Sequence, residues 1–201
     1  MKLIIMGCGQ QGRVCKRLAI ENGFDVVAFV DDGDSTEVEN VPVYKSLIDV
    51  PNYEECHAFV GVGKIKIRKK FLLEMQNAKI STVNLIDSHA MIEDGAQIGT
   101  GNYISKNAIV FASAKIGNHN IINCNSVIAT DVIVGDNNNI SLGVNVCGGV
   151  HIGNNCYIGC QASMSSGVEI QDDAIVGSTA FVRKNVEKNQ FVCGVPAEVK
   201  Q

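Results

Sequence analysis

Apolar and polar positions follow two different rules along the chain, and the change falls near residue 85. In the first stretch, short apolar runs alternate with amphipathic ones. Lys2–Met6 is apolar enough for a buried strand. Gly7-Cys8-Gly9-Gln10-Gln11-Gly12 follows, then a helix with Val14, Leu18 and Ala19 on one face, ended by Asn22-Gly23. Asp25–Val30 predicts a second strand, closed by Asp31-Asp32-Gly33. His57–Val62 predicts a third strand, Lys64–Asn77 a helix and Ile80–Leu85 a fourth strand. Such alternation predicts a small Rossmann-like parallel α/β domain covered by helices.

The second stretch is a repeat. From Ile86 to Val182 every sixth residue is aliphatic, 17 matches without a slip. At a ~30% aliphatic frequency such a run has a probability on the order of one in a billion. The position four residues on holds Ala, Val, Cys, Ser or Asn, and Gly, Asn and Asp crowd the positions between. Those three tolerate the left-handed backbone that sharp corners need. A strict period of six excludes an α-helix, whose repeat is 3.6. It fits short strands joined by corners, three per triangular coil, with residues 18 apart stacked about 4.8 Å from one another. The repeats make just under six coils, roughly 27 Å long on that spacing. The expectation is a first domain over residues 1–85 and a left-handed parallel β-helix over 86–201, its aliphatic residues turned inward.

Composition narrows the function classes. The chain has 201 residues, 46% hydrophobic, with a net charge of -4, which disfavours disorder. Residues 1–85 carry 11 basic and 11 acidic side chains, and residues 86–201 carry 6 and 10. With no basic excess to hold phosphates, a nucleic-acid partner is not expected. No apolar run reaches the ~18 residues of a membrane helix. Ile5-Met6-Gly7-Cys8 resembles a lipoprotein cleavage box but lacks the hydrophobic stretch, so neither export nor membrane insertion is expected. The eight cysteines form no CxxC pair, and free thiols in a reducing cytoplasm are the expectation. The absence of Trp suits thin stacked layers.

Candidate chemistry lies in both stretches. The GCGQQG run opens a helix after a strand, as a phosphate cradle does. Asp31 stands 19 residues beyond Gly12, about where a ribose-binding acid belongs. About 85 residues hold one mononucleotide half, so a mononucleotide or nucleotide-sugar fits better than a dinucleotide. Gly61-Val62-Gly63-Lys64 is a second strand–glycine–helix junction; the charges of Lys64–Lys70 read either as phosphate-facing or as a solvated helix face. A flat-sided prism needs a second wall to make a ligand site, and three prisms packed together supply a groove at each boundary. His89, His119 and His151 are 30 and 32 residues apart, not 18-related, so no metal site is expected.

The hexapeptide pattern resembles that of the hexapeptide acyltransferases. With GCGQQG, Asp31-Asp32, Gly61-Val62-Gly63-Lys64-Ile65-Lys66-Ile67-Arg68-Lys69-Lys70 and Gly194-Val195-Pro196-Ala197-Glu198-Val199, the whole chain is similar to the bacterial sialic-acid O-acetyltransferase and UDP-4-amino-sugar N-acetyltransferase group. The resemblance implies a homotrimer that takes acetyl from acetyl-CoA in a cell-surface-glycan pathway. It implies a nucleotide-linked sugar bound by Gly7, Gly9, Gln11, Gly12, Asp31, Asp32, Gly63 and Lys64. It also implies CoA contacts at Asn139, Gly148, Gly177, Val195, Pro196 and Ala197.

Three positions depart from that family. Its general-base His is matched by Thr130, although the following acid remains as Asp131; a second His is matched by Asn139, and a first-domain His by Gln11. Threonine is no general base near neutral pH. Three readings follow. The chain acylates an amine, which needs only loss of an ammonium proton. Or Asp131 or a borrowed His serves as base for N- or O-acylation, including that of a sialic acid. Or the chain is a catalytically silent binding homologue.

Overall fold

In the computed structural model, in which residues 1–200 are described, the first apolar run forms strand β1 (Lys2–Met6). It is followed by α1 (Gln10–Glu21), β2 (Asp25–Val30), β3 (Glu37–Val38), β4 (Val41–Tyr44), β5 (His57–Val60) and α2 (Ile65–Asn77). The sheet order is β3-β4-β2-β1-β5. Strands β4, β2, β1 and β5 run parallel, and β3 closes the edge antiparallel to β4. Leu3 through Met6 are all fully buried, as helices on both faces of a sheet require. Ile4 and Met6 pack with Val60 and with Leu72 and Met75 of α2. Leu3 and Ile5 point to the opposite face.

Three sequence-based expectations are corrected here. The buried face of α1 is Gly12, Cys15, Leu18 and Ala19, with Val14 only half-buried. Strand β5 stops at Val60, because Gly61 already turns toward α2. Ile80–Leu85 is not a strand: one bridge joins Thr82 to Ala58, and Leu85–Ile86 is already the first rung of the repeat. Four-residue β5 offers too short an edge to hold a longer partner. The β3–β4 hairpin was not anticipated. Its turn is Glu39-Asn40, both with positive φ (49° and 62°), the conformation that suits a two-residue hairpin but is usually marked by Asn-Gly or Asp-Gly.

The chain divides into two compact units, Met1–Leu85 and Ile86–Gln201. In the second, the periodic positions all become two-residue strands, from Leu85–Ile86 to Phe181–Val182. They stack in three parallel sheets, the faces of a left-handed prism, with partners 18 residues apart such as Ile109↔Val127 and Val110↔Ile128. We call the face that begins with Leu85–Ile86 the first, that with Met91–Ile92 the second and that with Gln97–Ile98 the third. The inward aliphatic residues are buried from Ile104 onward; Ile86, Ile92 and Ile98 of the first coil are stacked on one side only and are partly buried. At one corner Ser113, Asp131, Gly149 and Gly167 repeat φ values of 63°, 60°, 69° and 72°.

Inside the prism, Asn102, Asn120 and Asn138 form a ladder. Each side-chain oxygen accepts the backbone N–H one coil on (2.9, 2.8 and 2.7 Å), ending at Cys156. Each amide nitrogen donates to a carbonyl, of Gly117, Gly135 and Gly153 in turn, at 2.9 Å. The last coil closes two residues short: Val186 pairs with Ile170 and Val192 with Val176. This is why the six-residue count ends at Val182.

Candidate active site

In the first unit the site follows from topology. From β1 the chain crosses by α1 to β2 on one side, while β5 lies on the other. The carboxyl ends of β1 and β5 therefore form a switch point, where open α/β sheets bind ligands. The two glycine turns meet there. A Cβ on Gly7 (φ 101°) would strike Val62, one on Gly12 would overlap the Gly7 carbonyl oxygen, and one on Gly61 would lie 2.7 Å from the Gly12 Cα. Gly7, Gly12 and Gly61 thus pack backbone on backbone. Gly9, the residue before α1, is different: a Cβ there meets nothing within 4 Å, so its surroundings are open.

Asp31 is tied into this turn. Its carboxylate accepts the Cys8 N–H (2.9 Å) and the Gly33 N–H (3.0 Å). Burial pushes the carboxyl up, but these N–H groups, the Cys8 thiol and nearby Lys45 outweigh it and hold Asp31 below the usual carboxylate range. Asp31 therefore holds the glycine turn against the end of β2. Asp32 is exposed, and the Lys45 ammonium donates to the carbonyls of Asp32 and Gly33. Gln11 lies in the first turn of α1, its amide 3.6 Å from the Cys15 sulfur. Gly63 is half-buried, and Lys64, exposed, precedes α2.

Two residues of this region were missed from sequence. One is Lys45. The other is Arg68, 1% exposed, whose guanidinium donates to the Val62 carbonyl at 3.4 Å. Its signal was present: Arg68 lies on the helical stripe of Ile65, Leu72 and Met75.

The prism residues occupy three places. Thr130 and Asp131 are exposed at the corner between the second and third faces; the Thr130 carbonyl accepts the Gly149 N–H at 3.1 Å. Gly148 lies one coil beyond Thr130 in the same column. Asn139 is buried on the first face, its side-chain oxygen 3.5 Å from the Asn123 amide. Gly177 shares that face, where a Cβ would come within 2.6 Å of the Cys193 Cβ. Val195, Pro196 and Ala197 form the turn after strand Phe191–Cys193, with Phe181 bonded to Gly194 (3.0 Å) and Ala197 (2.8 Å). That turn sits at the corner between the first and second faces. One prism alone does not bring these groups together.

No histidine enters the Thr130 column. His89 is held by Asp87, through its N–H (2.8 Å) and Nδ1 (3.0 Å), at the corner between the first and second faces. His119 is at the corner between the third and first faces, and His151 is on the third face. Among the described residues, no group of three or more His, Cys, Asp or Glu side chains is placed to hold a metal ion. No helix there is long and apolar enough to cross a membrane. All eight cysteines are free thiols.

The chain thus joins an α/β unit with a sheet switch point to a prism of six-residue repeats. Residues 2–75 match the PglD N-terminal domain family, and residues 149–184 match the bacterial transferase hexapeptide family (six repeats). No curated protein matches the chain significantly by sequence. Among solved structures it is similar to a histidine-to-asparagine mutant of perosamine N-acetyltransferase from Caulobacter crescentus, in complex with CoA and GDP-perosamine. The identity is 27%, covering 100% of this chain and 97% of that one, with a TM-score of 0.94. The acetyltransferase domain of PglB from Neisseria gonorrhoeae (24% identity, 99% of both chains, TM-score 0.92) and WeeI from Acinetobacter baumannii (24%, 100% of both, 0.91) share the fold.

Proposed function

We propose that the chain is an acetyl-CoA-dependent acetyltransferase that N-acetylates a nucleotide-linked amino sugar for glycan biosynthesis. The observation that carries this reading is the pairing, in one chain, of an open switch-point crevice at Gly9 with an unbroken prism. The likeness along the whole chain to an enzyme crystallised with CoA and GDP-perosamine supports it.

In this reading the crevice holds the nucleotide, with Gly9 admitting it, Lys64 and Asp32 at its rim and Asp31 fixing the turn. Acetyl-CoA lies along a prism edge. Thr130, Asp131 and Gly148 stand at one corner and Val195–Ala197 at another, so a groove combining them needs two chains. A homotrimer of parallel prisms supplies three such grooves. Eight free thiols suit a reducing cytoplasm, where both substrates are made.

The chemistry suits the missing histidine. The amine lone pair attacks the thioester carbonyl, the C–S bond breaks, and the amine proton ends on the CoA thiolate. Free amine is already a good nucleophile, so no strong base is required. The Asp131 carboxylate accepts a hydrogen bond from the amine, and the Thr130 hydroxyl donates one toward the acyl oxygen. A hydroxyl acceptor, with its far higher pKa, would need the base this site lacks.

The test is mass spectrometry of purified protein with acetyl-CoA and a panel of UDP- and GDP-linked amino sugars and sialic acids. One added acetyl on an amino sugar supports the reading. Acetylation of sialic acid alone would replace it with O-acetylation. Saturable binding of both ligands without product across the panel would leave the silent homologue.

A further inference from the structure

Five of the seven residues from Lys64 into the start of α2 are basic, and the structure treats one of them differently. Lys64, Lys66, Lys69 and Lys70 are exposed, whereas Arg68 is 1% exposed. Desolvating a guanidinium costs several kcal/mol, and the stripe it occupies is otherwise apolar. Burial lowers its pKa to about 10, which leaves it protonated at neutral pH. The Cys15 thiol beside it is pushed up to about 12 by burial and stays neutral.

Its position gives this charge a purpose. Nη1 donates to the Val62 carbonyl at 3.4 Å, and Val62 is the residue whose side chain packs on Gly7. The guanidinium is therefore one residue behind the wall where the two glycine turns meet. That wall also carries the Asp31 carboxylate and the exposed Asp32, which repel a phosphate. The exposed lysines are mobile and screened by salt; a fixed, buried charge is screened much less. Arginine is also the cation that tolerates such a setting best.

We propose that Arg68 is the buried cation of the acceptor site, holding the second glycine turn and setting a positive charge behind the crevice that receives the diphosphate of a nucleotide-linked sugar. The inference rests on the first unit being the nucleotide-sugar site. It makes Arg68 a positioning and selectivity residue that favours nucleoside diphosphates over nucleosides without touching either.

The test is calorimetric binding of UDP, GDP, uridine and guanosine to the full chain and two variants. Arg68→Gln keeps a donor for the Val62 carbonyl but no charge; Arg68→Lys keeps the charge. A cooperative thermal transition checks that each variant is folded. For whichever nucleotide binds wild type, Arg68→Gln is expected to weaken diphosphate binding by about tenfold or more and nucleoside binding by less than about twofold. Arg68→Lys is expected to retain diphosphate affinity within about threefold. Equal loss of diphosphate and nucleoside in a folded Arg68→Gln variant would overturn the proposal, leaving a role in holding the turn alone. So would diphosphate binding unchanged in that variant. If Arg68→Gln does not fold, a loss in folded Arg68→Lys that is equal for nucleoside and diphosphate overturns it. Failure of the wild type to bind any nucleotide would instead remove the nucleotide-sugar reading on which the inference stands.

Discussion

The asparagine ladder gives the sharpest test of how the prism is held. Asn120 is fully buried at its middle. Its oxygen accepts the Asn138 N–H at 2.8 Å, and its amide donates to the Gly135 carbonyl at 2.9 Å. Asn120→Ala strands both groups inside the coil. Each buried polar group left unpaired costs about 1–3 kcal/mol, so about 3 kcal/mol is expected after discounting the partly buried Gly135 carbonyl. Cys156 occupies the equivalent inward position at the ladder's end. Cys156→Ala removes only a weak thiol donor, 3.1 Å from the Gln171 carbonyl and 3.6 Å from that of Asn154, and should cost about 1 kcal/mol. Because each coil is stabilised by its neighbours, the loss should spread to adjacent coils. Amide hydrogen exchange reads it directly: protection of the Asn138 N–H should fall by about a hundredfold in Asn120→Ala, on the order of the 1.4 kcal/mol per decade relation. Chemical denaturation should separate the two variants by about 2 kcal/mol. Equal costs for both substitutions would refute the claim that the ladder, rather than packing volume, holds these corners.

Further outcomes follow from the crevice and the corner. Gly12→Ala should unfold or loosen the first unit, since its Cβ would overlap the Gly7 carbonyl. Gly9→Ala has room and a φ of -68°, so its melting temperature should be unchanged while the acceptor KM rises; an unchanged KM would place the ligand elsewhere. Asp31 has a folded pKa below its unfolded value of about 3.9. Its stabilising contribution is therefore fully present above that unfolded value and is lost as pH falls through the folded one. Acid titration should show a downward slope in stability below about pH 4, and Asp31→Ala should flatten it. Thr130→His places an imidazole at an exposed corner. Turnover should rise by about tenfold, short of the 10²–10⁴ that a general base contributes because an amine needs less help, and no gain with both ligands bound would show that this corner is not where the proton leaves.

The prism was legible because its packing is periodic: each inward position must be aliphatic to fill the same narrow interior, so one count locates every rung. What the count could not show was the ladder: Asn102, Asn120 and Asn138 stand at the restricted position four residues on, but only stacked coils show their amides bonding from one coil to the next. The β3–β4 hairpin was hidden by Glu39-Asn40, a pair without the glycine that usually marks such a turn. In the crevice, GCGQQG and Asp31 were found by spacing, but their roles were not. Gly7 and Gly12 serve close packing, Gly9 leaves open space, and Asp31 accepts the backbone N–H groups of Cys8 and Gly33. Arg68 was grouped with its lysine neighbours because charge in a helix usually means solvent; its place on the apolar stripe was the contrary sign. The prism candidates are separated among three places, because each depends on which corner or face its residue occupies, and Asn139 is buried.

The central claim is transfer of an acetyl group to an amine held by the first unit. It is tested most directly with a matched pair of nucleotide sugars that differ only in carrying an amino or a hydroxyl group at one carbon, each incubated with acetyl-CoA and followed by product mass. One acetyl should be added to the amino sugar at a rate far above that for its hydroxyl partner, with one CoA thiol released per acetyl. Equal acetylation of both sugars, or of the hydroxyl sugar alone, would contradict it, because a corner built from Thr130 and Asp131 lacks the base a hydroxyl needs.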